Sequence, residues 1–498
     1  MTKYLYGAAV QGIQGFIFQT NRLQDIVGAS ELVEQICTTA FDEYANEDGE
    51  SVLRAAGNVK HIFDSEEACK KAVLEFPKKV VEMAPGVTVS QAVVKYDDVE
   101  DFAQVVDSLE AKLREQRNKQ MRPLNIGFMG ILRSRRTGSP VVAVKENKRG
   151  EIEFVDAATE KKWAACDTQK LSSKAFGFDV KDKQVAFEIE KITGKNDWIA
   201  VIHADGNGLG QVVQKIGHNR EKFKKFSLEL DKATKNAAVD AFEMVKGSFA
   251  KSEIIPIRPV VLGGDDFTVI CRADFALDYV TAFLKAFEKR SGEGVGQLLE
   301  DAHVFENGNF LTACAGISFV KSSYPFYFAY DLAEALCSCA KKDSKKPENP
   351  NYLAPSCLMF HKVQSSFVEN FESIVQKELT PCKGCSFEFG PYYLNEKDRR
   401  WTIDKLLDVA NLLDSEKGNA VKSGIRQWLT LMHSNKDMAK QRAERLISLL
   451  GSGSELRTLA KEMTDGVDRD GKTCYSAYDV LAIHSVRSQE TRSNEKGA

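Results

Sequence analysis

Three aspartates stand where their types and spacing could hold metal ions. Val-Leu-Gly-Gly-Asp-Asp-Phe (Val261–Phe267) sets Asp265 and Asp266 side by side after Gly263 and Gly264. Pro259–Leu262 and Phe267–Cys271 read as strands, so the acids sit at the tip of a β-hairpin. Adjacent carboxylates repel unless a cation or solvent offsets their charge. Earlier in the chain the apolar run Trp198–Ala204 ends in a third acid, Asp205, followed by Gly206-Asn207-Gly208-Leu209-Gly210. Carboxylate oxygens are hard ligands that suit Mg2+ or Mn2+. A strand-end acid beside an acidic hairpin suits two such ions acting on a transferring phosphoryl group. The glycines after Asp205 would let backbone N–H groups approach a triphosphate closely. The bland alternative is that the acids cap turns and the glycines merely make them.

The elements that must position these acids recur twice. From Trp198 to Lys342 the order is strand, helix (219–249), hairpin, helix (273–289), strand (311–320), helix (325–342). Apolar Phe223, Phe226, Leu230, Ala233 and Ala237 fall at helical spacing within the first helix. That order is a split βαβ unit, the ferredoxin-like palm, with an appended helix. The first 120 residues repeat it: strand 3–10, helix 16–44, hairpin 52–63, helix 65–83, strand 87–94, helix 99–119. The first copy carries Val10-Gln11-Gly12 at its strand end and Ala56-Gly57-Asn58 at its hairpin, with no acid at either place. The expected class is therefore α+β. A first palm free of acids covers 1–132, a connector 133–196, a second palm with the Gly-Gly-Asp-Asp hairpin 197–395, and a C-terminal helical domain with a polar tail 396–498.

On these residues the chain resembles the large, polymerase-like subunit of type III CRISPR effector complexes. The pieces that match are Asp205–Gly210, Gly263–Asp266, Leu311–Val320, and Tyr324-Pro325 followed by Ala329–Lys342. Gln11–Phe18 and Gly28–Leu32 resemble that family's first palm. The family is distantly related to GGDEF-type dinucleotide cyclases. The resemblance implies a nucleotidyltransferase of antiviral defence that joins ATP into cyclic oligoadenylates. It implies Asp205, Asp265 and Asp266 as ligands of two Mg2+ or Mn2+ ions, with one hairpin acid a candidate to take the proton of the attacking hydroxyl. It implies nucleotide contacts from Gly206, Asn207, Gly208, Leu209, Gly210, Gly263 and Gly264. Lys341 would neutralise phosphate, with Lys342 in reserve; otherwise the pair is a solvated basic helix end. The acceptor nucleotide would sit on the acid-free palm near Gln11–Gln14 and Ser30, unless Ser30 is an ordinary buried hydroxyl.

Typical members of that family begin with a histidine–aspartate nuclease domain, and no His-Asp dipeptide occurs in this chain. The nuclease activity is therefore not carried over. Nucleoside triphosphates are the expected partners, with RNA, other effector subunits and a second copy of the chain as further candidates. The rival readings are a cyclic dinucleotide synthase and a non-catalytic scaffold that binds nucleotide or RNA.

Composition sets the background. The 498 residues are 43% apolar and 28% charged, with net charge −3, which gives no overall pull toward nucleic acid or anionic membrane. No apolar run approaches the roughly 18 residues that span a bilayer, and the N-terminus shows no secretory h-region. Eleven cysteines, an odd number, suit a reducing cytoplasm. Cys382-Lys-Gly-Cys385 offers two zinc ligands where a structural site wants four, so zinc competes with a plain turn. Cys337 and Cys339 read as packing residues, and His203 as a strand-face residue. Arg114–Arg122 and Arg133–Arg136 form the strongest basic cluster, a candidate for RNA phosphates or a solvated surface.

Overall fold

The computed structural model describes residues 2–55, 57–97, 101–119, 129–147, 150–166, 169–193, 197–216, 219–250, 252–346, 349, 351–364, 370–397 and 400–487. The first palm comprises β1 (Thr2–Gln11), α1 (Leu23–Cys37), β2 (Glu50–Ala55), β3 (Asn58–Phe63), α2 (Glu66–Met83), β4 (Thr88–Asp97) and the appended α3 (Phe102–Arg117). Its sheet order is β2-β3-β1-β4, with every neighbouring pair antiparallel. Alternation along β1 sends Tyr6 and Ala8 to the core under α1 and α2, and Leu5 to the second core under α3.

The connector holds β5 (Val141–Glu146), β6 (Ile152–Asp156), α4 (Ala157–Cys166) and α5 (Lys170–Phe176). Gly28 lets α4 lie directly on α1, since a Cβ there would stand 1.8 Å from the Lys162 carbonyl oxygen. Buried Asp25 of α1 then accepts from Trp163 Nε1 (2.6 Å) and Arg136 Nη1 (3.1 Å). Arg136 also pairs with Glu153. It is thus a structural staple rather than a free contact for RNA. Arg122, in the same predicted cluster, lies outside the described residues.

The second palm comprises β7 (Trp198–Gly206), α6 (Leu209–Ile216), α7 (Arg220–Val245), β8 (Ile257–Gly263), β9 (Asp266–Arg272), α8 (Ala276–Asp301), β10 (Ala313–Lys321) and α9 (Phe326–Ser344). Its order β10-β7-β9-β8 repeats that of the first palm, and β11 (Cys357–Lys362) extends the sheet beside β10. The expected α+β class with two ferredoxin-like palms holds. Helices Ile403–Asp414, Asn419–Ser434, Lys436–Leu449, Glu455–Thr464 and Ala477–Arg487 make the C-terminal region. A short strand, Cys385–Ser386, pairs with Lys472–Cys474 and sews that region to the chain before it. The polar tail lies outside the described residues from 488 onward. Among the described residues no helix is long and apolar enough to cross a membrane.

Two helices depart from expectation. The single helix expected over 16–44 is three: Ile13–Ile17, α1 and Thr39–Ala45. Thr38 breaks it, its hydroxyl donating back to the Glu34 carbonyl (2.8 Å). The helix expected to stop at 289 runs on to Asp301 through Gly292, Gly294 and Gly296. Those glycines make room for neighbours: a Cβ at Gly296 would stand 2.8 Å from the Asn309 carbonyl oxygen, and one at Gly294 3.3 Å from Glu229 Oε2.

Candidate active site

Sheet register delivers the acids. β7 pairs antiparallel with both β9 and β10, setting His203 opposite Thr268 and Asp205 opposite Cys314. Alternation puts His203 and Asp205 on one face of the strand. In the hairpin, Gly263 pairs with Asp266, and Gly264 turns the chain at φ 62°, where a side chain would be strained. Thr234 of α7 donates to the Gly264 carbonyl (2.5 Å) and holds the tip. Lys174 of α5 donates to the Leu262 carbonyl (2.9 Å) and pairs with Glu34 of α1 (3.0 Å), tying the hairpin to the first palm.

Asp205 and Asp265 are neighbours. A Cβ built on Gly206 would lie 3.0 Å from the Asp265 Cβ and 3.6 Å from its Oδ2. Burial, then a hydrogen bond to Asp205 and its charge, push Asp265 up to about 7. Burial, then the charges of Asp205, Asp265 and Glu334, push Asp266 up to about 8. The Asp266 side chain stays 40% exposed to the cleft, while its Oδ1 is buried without a hydrogen-bond partner, 3.5 Å from His203 Nδ1. Lys341, near the end of α9, donates to Asp205 Oδ2 and to the Gly206 carbonyl (2.8 Å). Lys342 is exposed.

The loop after Asp205 divides its labour. Asn207 is buried, its N–H donating to the Thr312 carbonyl (2.8 Å) and its Nδ2 to Thr312 Oγ1 (3.1 Å), so its side chain fixes the loop from within. Gly208 takes φ 73°, and a Cβ there would stand 2.7 Å from the Phe305 ring. Leu209 begins α6, and a Cβ on Gly210 would meet open space.

A cavity of about 330 Å³ lies between the palms. Gln14, Ser30 and Glu34 line it from the first palm, and Leu262, Asp266 and Tyr330 from the second. Ser30 is buried, and its Oγ has no hydrogen-bond partner. Gln14 Nε2 donates to Tyr330 Oη (3.1 Å), and Phe18 stacks on Tyr330 at 4.8 Å. Three residues here were not among the expected site residues. His203 accompanies Asp266 and meets the edge of Tyr330 at 5.5 Å; burial lowers its pKa to about 4, leaving a neutral imidazole. Tyr330 and Glu334 were read only as helix. Their spacing with Lys341, at i, i+4 and i+11, is the signal that could have found them.

Divalent ions fit this chemistry in charge and donor type. Three carboxylates crowd one strand end, two held well above the ordinary carboxylate range, and Asp266 Oδ1 is orphaned. As they stand, no three His, Cys, Asp or Glu side chains among the described residues are grouped to hold one ion. Asp205 is engaged by Lys341 instead. The same holds at Cys382 and Cys385, which close a turn (Cys385 N–H to Cys382 carbonyl, 3.0 Å) with no further ligand grouped around them.

Fold and site together define a tandem-palm protein in which only the second palm carries acids at its central strand end and hairpin tip. Residues 198–349 match the family model described as Cas10/Cmr2, second palm domain, and that segment is Cas10-like. No curated protein matches it. Among solved structures its fold is similar to Csm1 in T. onnurineus (16% identity, TM-score 0.57, covering 97% of this chain and 69% of that one). It is also similar to an apo Csm1–Csm4 cassette (13%, TM-score 0.58, 98% and 69%), and to a Csm1–Csm4 cassette in complex with cA4 (14%, TM-score 0.55, 98% and 69%).

Proposed function

We propose that this protein is a metal-dependent nucleotidyltransferase that joins ATP into cyclic oligoadenylates as part of a type III CRISPR-like defence. One observation supports the reading: Asp266 lines a cavity whose other wall is the first palm, and Asp205 and Asp265 lie close enough to Asp266 to raise its pKa. The choice of ATP leans on fold neighbours in complex with AMPPNP and pppApApA. A Csm4-like subunit is the expected protein partner, from the cassettes of similar fold.

The reaction is attack of one nucleotide's 3′-hydroxyl oxygen on the α-phosphorus of another. The new P–O bond forms as the bond to the β-phosphate bridge breaks, and pyrophosphate leaves. Two Mg2+ or Mn2+ ions on Asp205, Asp265 and Asp266 would activate the attacking oxygen and neutralise the leaving one. One of the hairpin carboxylates, ionised once cations offset its neighbours' charge, would take the hydroxyl proton. Lys341 and the loop backbone at Gly208–Gly210 would face the triphosphate, while Ser30 and Gln14 would hold the acceptor in the cavity. Holding both nucleotides in one cleft removes much of the entropic barrier to their meeting.

The test is to incubate the protein with each NTP and Mg2+ or Mn2+, adding candidate RNA and partner subunit, and to measure pyrophosphate and product mass. Cyclic oligoadenylate is expected, with turnover falling by about a thousandfold or more in Asp265→Ala/Asp266→Ala. A cyclic dinucleotide or a guanine product would favour the dinucleotide synthase. Nucleotide binding without turnover under all these conditions would favour the scaffold.

A further inference from the structure

The ammonium of Lys341 stands at the end of β7, where an ion shared by Asp205 and the hairpin would have to sit. It donates to Asp205 Oδ2 and to the Gly206 carbonyl, and its side chain is only 18% exposed. The helix behind it is held tightly. A Cβ on Gly316 of β10 would lie 1.9 Å from the Ala333 carbonyl oxygen, so α9 rests with its backbone on the sheet. One turn beyond, the Ser344 hydroxyl donates to the Lys341 carbonyl (3.0 Å). The lysine is therefore aimed at Asp205 by packed backbone rather than left to a solvated helix end.

Two cations cannot share one carboxylate oxygen and one carbonyl without strong repulsion. A divalent ion that draws on Asp205 Oδ2 competes with the ammonium for it. A triphosphate arriving at the loop 206–210 offers that ammonium several phosphate oxygens within a short swing of its flexible stem. We infer that Lys341 is the resident cation of Asp205 in the nucleotide-free protein, and that a nucleoside triphosphate frees Asp205 for its metal by drawing Lys341 onto the phosphates. This rests on the reading of Asp205 as a metal ligand and adds an order to it: nucleotide first, the Asp205 ion second. Nucleotide and metal then raise each other's affinity, as linkage requires. The nucleotide-free protein also resists idle metal binding.

The experiment is Mn2+ binding to the full chain without nucleotide, read by calorimetry and by the spin-resonance signal of free Mn2+. Lys341→Met should bind Mn2+ at least fivefold more tightly than the unaltered protein. Lys341→Arg, which keeps the cation, should not. The gain should vanish in Lys341→Met/Asp205→Asn. Should Lys341→Met not fold, Lys341→Gln takes its place with the same expectation. A gain below fivefold, or one that persists without Asp205, overturns the inference. It leaves the metal reading standing if the remaining Mn2+ binding is lost in Asp265→Ala/Asp266→Ala. Absence of Mn2+ binding in every variant, with AMPPNP present as well as without it, overturns both.

Discussion

The two palms are the same fold put to different use. Each lays its strands in the same antiparallel order, and each carries an appended helix across the sheet. In the first, β1 ends at Gln11, with Gly12 next; in the second, β7 ends in Asp205 and Gly206. The appended helices differ as well. Under α3, Gly7 faces the Leu109 side chain, with a built Cβ 2.8 Å from its Cδ2; under α9, Gly316 faces backbone at 1.9 Å. The closer helix is the one that carries Tyr330, Glu334 and Lys341 to the acids. Apolar alternation specifies the scaffold, then, while strand ends and the depth of one helix specify the chemistry.

That contrast can be broken by size. Gly316→Ala should cost about 3 kcal/mol or more of stability, since backbone cannot step aside, whereas Gly7→Ala should cost about 1 kcal/mol or less, because a leucine side chain can turn. Chemical denaturation of both variants measures the difference. Equal costs would mean that the two helices sit alike.

Next in size is a pH effect confined to the second palm. Asp265 and Asp266 are held at about 7 and about 8 in the folded chain, above an ordinary carboxylate near 4. The folded state therefore keeps protons that the unfolded state releases. That contribution is full below a pH of about 4, falls progressively above it, and is lost once pH has risen through the folded values of about 7 and about 8. Metal-free protein should melt at a lower temperature at pH 9 than at pH 6. Asp265→Asn/Asp266→Asn should flatten this slope, and a slope that survives the substitution would place its origin elsewhere.

Much of this was legible in the chain because local signals agreed with one another. Strand, helix and hairpin order, repeated twice, exposed the palms, and acids at a strand end and a hairpin tip exposed the candidate site. What stayed hidden depends on contacts between distant segments. The partner of Lys341 follows from how deeply Gly316 lets α9 settle, and no helical periodicity reports that. Arg136 read as one more surface cation, yet Asp25, more than a hundred residues earlier in sequence, claims it. The helix expected to end at 289 continues through glycines that admit close neighbours, Gly292 and Gly296 the segment at Asn309–Phe310 and Gly294 the side chain of Glu229. His203 read as a strand-face residue, and strand alternation sets it on the same face as Asp205, where it meets Asp266.

The most direct measurement is anomalous scattering from crystals of the full chain soaked with Mn2+ and AMPPNP. The account predicts manganese peaks between Asp205 and the Asp265–Asp266 hairpin, with Lys341 turned to the phosphates, and no peak at Gln11 or at the Gly57 hairpin of the first palm. Manganese bound away from all three aspartates, or nucleotide bound there with no metal at all, would contradict it.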